Sequence, residues 1–125
     1  MPPRFRPRFE LEVPRSFGID PQATWKSLGP TPSAAQREQR GAARIQHAVA
    51  CWVRAAAIER FGSVAAYAKH FELDYQREGG LLRGDVVMRL EDVAGARLRL
   101  GLPIRIGSQP GEKAGGVALA EPTST

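Results

Sequence analysis

The sequence predicts a mainly α protein: a small helical bundle built behind one long helix, with a short N-terminal strand and flexible tails. Three observations predict it. Residues 34–61 place apolar side chains three and four apart over many turns, the period of an amphipathic helix. Residues 63–101 then repeat one pattern, a capping residue, a short periodic run and a glycine or turn. The two ends carry the Pro, Gly, Ser and Thr that break helices. At 125 residues the chain holds one domain plus tails. The division read from it is a basic arm and connector over 1–33, a helical domain over 34–101, and a short strand with a disordered tail over 102–125.

Taken in order, residues 1–7 form a basic arm, because its prolines fix φ and remove donors. Arg4, Arg6 and Arg8 alternate there with Phe5 and Phe9 around Pro7, a pattern able to lie along phosphates or enter a minor groove. A disordered terminus is the plainer reading. Residues 8–13, RFELEV, alternate strictly, so Phe9, Leu11 and Val13 are expected on one face of a half-buried strand bounded by Pro7 and Pro14. Its candidate partner is Leu102–Ile106, within one chain or across a dimer. Residues 15–33 connect the arm to the domain, with Asp20-Pro21 set to open a short helix through Leu28.

The long helix follows, with Ser33 as its N-cap and Gly62 as its breaker. Ala42, Ile45, Val49, Trp52 and Ala56 make its apolar stripe. A second stripe, Arg37, Arg40, Arg44, His47, Cys51 and Arg54, gives it a basic face. Arginines near a helix N-terminus oppose the macrodipole, so a phosphate backbone or an acidic partner surface would suit them, and a merely solvated face is the bland alternative.

Ser63 caps a helix over Val64–His70 whose Val64, Tyr67 and Ala68 share a face with Phe71. Glu72-Leu73 make a turn, Asp74 caps a helix over Tyr75–Arg83, and Gly84 ends it. Asp85 is read as the cap of a last helix, Val86–Leu100, with Val86, Leu90, Val93 and Leu100 toward the core and Ala94 beside them. A helix, a short turn and a second helix with a polar leading end is the layout that enters a major groove.

Over Ser63 to Gly101 the sequence resembles the Cro-like helix-turn-helix domains, the phage-repressor and xenobiotic-response-element group. The resemblance runs without a gap and rests on Tyr67, Ala68, Leu73, Leu81, Gly84, Leu90, Leu100 and Gly101. It implies a phage-repressor-like helix-turn-helix bundle that binds double-stranded DNA. It puts the base-reading positions on Tyr75, Gln76, Gly80 and Arg77, and the backbone contacts near Ser63, Lys69 and Arg83. Gln76 is the best suited reader, since a carboxamide pairs with adenine through two hydrogen bonds. Three residues depart from the family pattern. Val64 stands where a glutamine is common, Glu78 where a Leu or Ile is buried, and Gly79-Gly80 replace two side chains in mid-helix, at roughly 1 kcal/mol per glycine.

Charge agrees with a polyanionic partner. The net charge is +5, and its excess lies wholly before Ser63, since residues 62–101 carry six basic and six acidic side chains. No run approaches a membrane span, and the N-terminus lacks the apolar core of a secretory signal. The single cysteine, Cys51, fits a reducing cytoplasm. His47 and Cys51 have a two-ligand spacing, but no second pair completes a metal site, and no nucleophile–base pattern or phosphate loop stands out. The expectation is therefore a cytoplasmic, non-enzymatic transcriptional regulator without cofactor or metal. It binds DNA as a homodimer through Ser63, Lys69, Tyr75, Gln76, Arg77 and Arg83. Arg4, Arg6, Arg8, Arg37, Arg40, Arg44 and Arg54 form a candidate DNA-backbone or partner face. The alternative is a protein-interaction adaptor, or an antitoxin-like protein with reduced DNA reading.

Overall fold

Four α-helices follow one another among the described residues: α1 (Ala34–Phe61), α2 (Val64–His70), α3 (Tyr75–Arg83) and α4 (Leu90–Leu100). They are seen in a computed structural model that describes residues 4–101. The expected strand at Leu102–Ile106 and the expected disordered tail lie outside the described residues.

The caps that the sequence suggested at Ser33, Ser63 and Asp74 are in place, and each has its hydrogen bonds. The Ser33 hydroxyl accepts from the Gln36 amide at 3.1 Å while the Gln36 side chain accepts from the Ser33 amide at 2.8 Å, a reciprocal box that satisfies two donors otherwise left open. Gly62 closes α1 in the left-handed region. The Ser63 hydroxyl accepts from Ala66 N–H at 3.0 Å and starts α2. The turn then passes through Glu72 at φ 58°, and the Leu73 amide donates back to the Ala68 carbonyl at 2.8 Å. One Asp74 carboxylate oxygen accepts from the amides of Gln76 and Arg77 at 3.0 and 3.3 Å, which starts α3.

The core gathers Val49, Ala50, Val53 and Ala57 of α1, Tyr67 of α2, Leu82 of α3, and Ala96 and Leu100 of α4. Tyr67 is fully buried in a nest of Phe61 and Phe71, and its hydroxyl accepts from Arg99 Nε at 2.8 Å. The molecule is thus a small, mainly α bundle. Leu11 and Phe17, from the segment before α1, complete the same core.

That N-terminal segment departs from expectation. The strand over 8–13 is absent. Pro7 opens a 3-10 turn, Pro7–Glu10, and Pro14 opens another, Pro14–Ser16. Only a single antiparallel bridge joins Leu11 to Trp25. Leu11 is buried while Phe9 and Val13 are exposed, so the alternation in sequence does not mark a shared face. The physical reason is that the Arg8 amide donates to the Gly84 carbonyl at 3.1 Å, which takes the backbone out of any ladder. The expected helix after Asp20 is also absent. The Asp20 carboxylate caps only a local turn, accepting from Gln22 N–H at 2.9 Å, and its carbonyl faces His47 of α1 at 2.9 Å.

Two further corrections concern α1 and α4. Of the expected α1 stripe, Val49 and Ala56 are buried and Trp52 half-buried, but Ala42 and Ile45 are exposed. Helix α1 instead buries two adjoining faces, one under α2 and α3 and one under the N-terminal segment. The last helix begins at Leu90 rather than Val86, and Asp85 does not cap it. Buried Gln46 explains this. Its amide nitrogen donates to the carbonyls of Leu81 and Val86, both at 2.9 Å, and its oxygen accepts from Met88 N–H at 2.8 Å. Those bonds keep residues 85–89 out of the helix, and Asp92 starts α4 by accepting from Arg89 N–H at 2.8 Å. Leu90 and Ala94 consequently face outward, not toward the core.

Candidate nucleic-acid interface

The leading turn of α3 is exposed at Tyr75, Gln76 and Arg77. It owes its position to the cap at Asp74 and to the left-handed turn at Glu72, which together fix the angle at which α3 leaves α2. Behind the turn, Glu78, Gly79, Gly80, Leu81 and Leu82 are buried. Gly80 packs against Val86, so this position, implied as a base reader by the resemblance, offers no surface to a groove. The Arg83 side chain folds back over Gly79, where an added Cβ would lie 2.7 Å from its Nη1. The missing side chain at Gly79 is therefore what lets Arg83 reach Asp85, at 3.0 Å.

Charge on α3 is partly neutralised from within. Arg77 makes a two-pronged bond to Asp92 of α4, at 2.7 and 3.0 Å. That bond holds the Asp92 carboxyl below the usual carboxylate range, against the smaller opposing effect of burial. Glu78 is pushed up by burial, and Arg99 partly offsets this. Glu78 has no side-chain hydrogen bond or ion pair among the described residues, and the charges of Arg99 and Arg77 offset only part of the cost of burying an acid where the family pattern has a Leu or Ile. Gln76 has no side-chain hydrogen bond among the described residues and is the least committed polar group on the turn.

Beside this turn lies an open cleft of about 240 Å³. Its walls come from four parts of the chain: Arg8, Pro14, Arg15, Phe17 and Ile19 of the N-terminal segment, Arg54 of α1, Val64 of α2, and Tyr75, Gly79 and Arg83 of α3. Four guanidinium groups line it and no carboxylate does. Asp85 lies outside the lining but bonds both Arg8, at 2.8 Å, and Arg83, and Arg8 first and then Arg83 hold its carboxyl below the usual range. Arg54 donates to the Gly18 carbonyl at 3.1 Å through Nε. Arg15 is exposed and has no hydrogen-bond or ion-pair partner among the described residues. A cleft with this lining suits an anion such as a backbone phosphate.

The site residues suggested by the sequence divide accordingly. Arg8, Arg54, Tyr75 and Arg83 meet at the cleft. Ser63, Lys69, Gln76 and Arg77 are exposed but do not line it. Arg4 and Arg6 are exposed, with Arg6 over the Phe9 ring at 6.0 Å. The basic face of α1 is not an open one. Arg37 is exposed, but Arg40 is buried and bonds Glu10 at 3.0 Å. Arg40 and Arg44 stack on Trp25 at 5.7 and 5.1 Å, and His47 lies beneath Phe17 and Trp25. The acidic and aromatic surface that these residues call for is supplied by the chain's own N-terminal segment.

His47 and Cys51 are likewise accounted for. The Gly18 amide can only donate and the Asp20 carbonyl can only accept, so His47 Nδ1 accepts the first, at 3.0 Å, and Nε2–H donates to the second. Both ring nitrogens are occupied, and burial pushes the imidazole pKa down. Burial pushes the Cys51 thiol up to about 11, which leaves it protonated and a poor nucleophile. Among the described residues no three His, Cys, Asp or Glu side chains group as metal ligands. No described helix is long and apolar enough to cross a membrane.

Sequence reasoning missed Arg15 and Gln46, and it expected Phe17 and Ile19 to pack against the domain without placing them at a cleft. Phe17 and Ile19 are apolar, but only the long-range placement of Gly18 reveals their use. Comparison of the chain with protein-family models, with curated proteins and with solved structures finds no match.

Proposed function

We propose that this protein is a sequence-specific, double-stranded DNA-binding transcriptional regulator that works as a homodimer in the cytoplasm. The observation that carries the reading is the α2–turn–α3 unit with an exposed, capped leading turn beside a cleft of four arginines. Gln76 and Tyr75 read base edges from the leading turn. Arg77 serves the α3–α4 junction through Asp92 and contributes less to reading than its position alone suggests. The cleft and Lys69 hold phosphates, which fixes register without carrying sequence information. One short reader helix covers few base pairs, so a dimer is needed to double the site. Bound across a promoter, such a dimer acts sterically on polymerase.

Duplex binding measured by fluorescence anisotropy over a salt series tests this. Affinity falls steeply with salt, and Arg15→Ala lowers the slope of log K against log salt by about 1, because it removes one phosphate contact. Lys69→Ala weakens all sequences alike, whereas Gln76→Ala relaxes preference at one base pair, by about 1–3 kcal/mol of discrimination. If Gln76→Ala leaves preference untouched, α3 is not the reader.

A second reading has its own support. Asp92 neutralises Arg77 and Asp85 neutralises Arg8 and Arg83, which removes cationic character from the motif. A protein-interaction adaptor or antitoxin-like protein on the same fold uses these surfaces for a protein instead. Absence of duplex binding at low salt would favour that reading.

A further inference from the structure

Helix α4 carries two leucines that are left uncovered among the described residues. Leu90 and Leu98 are 86 % and 83 % exposed, the two most exposed large apolar side chains among the described residues. They are eight residues apart, with exposed Ala94 midway, so all three lie along one stripe of the helix. Glu91 flanks the stripe at its first turn and Arg97 at its last, both exposed and both without a salt-bridge partner among the described residues. The opposite face of the helix is already committed, through Ala96 and Leu100 in the core, Asp92 on Arg77, and Arg99 on Tyr67. Among the described residues the stripe is therefore uncovered while the helix behind it is fixed.

We propose that this stripe is the surface on which two copies of the chain associate, α4 against α4, antiparallel about a two-fold axis at Ala94. Three features make the helix self-complementary in that arrangement. Leu90 of one copy falls at the axial level of Leu98 of the other, so each end layer pairs two leucines. Ala94 meets its own copy at the centre, where a small side chain lets the axes approach closely. The acidic first turn of each helix lies level with the basic last turn of the other, and the antiparallel macrodipoles add in the same sense. A parallel pairing would instead set Glu91 beside Glu91 and Arg97 beside Arg97. Charge thus selects the second copy, and its direction, as the occupant of the stripe. Helix α1, the longest element, offers no comparable face because the N-terminal segment and the motif cover two of its sides. The proposal rests on the homodimeric part of the reading above and not on its DNA part. With one short helix pair as its centre the interface is small, so the dimer is expected to be weak and concentration-dependent.

Sedimentation equilibrium of the full chain, without DNA, tests the association. The unaltered protein is expected to dimerise reversibly, and Leu90→Ser/Leu98→Ser to weaken the dimer by about tenfold or more. Thermal unfolding at high dilution should not change in that variant, because both side chains are already in water in the monomer. In a Cys51→Ser background, Ala94→Cys should form an inter-chain disulfide on mild oxidation, and Ala55→Cys, on the exposed side of α1, should not. A chain that stays monomeric at high concentration overturns the proposal. So does a dimer indifferent to both leucines, or one trapped through position 55 and not 94. If residues 102–125 of the same chain cover the stripe, the double serine variant will lower monomer stability without changing mass, which also overturns it. Failure of duplex binding would leave each of these readouts intact.

Discussion

Residues 63–84 and residues 4–28 are held by opposite means. The α2–turn–α3 motif is closed by bonds between near neighbours: Ser63 to Ala66, Leu73 to Ala68, Asp74 to Gln76 and Arg77. The N-terminal segment has short turns of its own, but its anchors are distant: Arg8 to Gly84 and Asp85, Glu10 to Arg40, Gly18 to His47 and Arg54. The first region takes its caps and its turn from bonds within itself, and its packing from the shared core. The second has its shape only because α1 and the end of α3 are already there. The difference teaches where each region is vulnerable, since a local lesion should damage the motif by one bond and the segment by several.

Gly84 joins the two regions and should give the largest effect. It sits at φ 76°, and an added Cβ would lie 2.7 Å from the Phe17 ring and 2.9 Å from the Arg8 nitrogen. Left-handed strain alone costs about 1–2 kcal/mol, and the clash with packed neighbours adds to it. Gly84→Ala is therefore expected to lose about 3 kcal/mol or more in urea unfolding, with the N-terminal segment released. Retention of near-native stability would mean that the segment and the motif are not joined there.

A smaller effect, confined to the N-terminal segment, should follow pH. His47 is held neutral in the fold with its pKa below the ordinary 6.5, and a proton on Nδ1 would expel the Gly18 amide. Below about pH 6.5 the unfolded chain takes up a proton that the folded chain resists, so its contribution is complete above that pH. It is lost as pH falls from there toward the lowered folded value. The unfolding midpoint should drop from mildly alkaline to mildly acidic buffer, and His47→Gln should reduce that drop. An unchanged drop in the variant would place the pH dependence elsewhere.

The smallest effect belongs to the motif. Asp74→Ala removes one cap that bonds two amides and should cost about 1 kcal/mol, with the loss confined to α3 in hydrogen exchange. A loss several times larger, or one that also exposed residues 4–28, would show that the two regions are less separate than their bonding suggests.

The same contrast explains what was legible in the sequence. Caps and left-handed glycines act within a few residues, so Ser33, Ser63, Asp74 and Gly84 announced their helices. The start of α4 did not follow its apparent cap because Gln46, some forty residues earlier, captures the carbonyl of Val86 and the amide of Met88. The RFELEV alternation misled because Pro7 and Pro14 each open a 3-10 turn and the Gly84 carbonyl takes the Arg8 amide, neither of which a period of two reveals. The basic stripe on α1 was real as a pattern, and it suggested a phosphate backbone or an acidic partner surface. Nothing in a periodicity could say that Glu10 and Trp25 of the same chain are that partner. The leading turn of α3 was read from its cap, whereas the cleft beside it depends on four separate stretches meeting and has no signature along the chain.

The bond between the Arg8 amide and the Gly84 carbonyl also bears on the order in which the molecule can be made. Synthesis delivers residues 4–20 before the groups that hold them, since His47, Arg54, Gly84 and Asp85 do not exist when they emerge. The leading stretch must therefore wait, with Leu11 and Phe17 in water, until some sixty further residues have left the ribosome. A segment translated before its anchors is placed after them, and a chain halted before Gly84 would carry an undocked, arginine-rich stretch over residues 4–20.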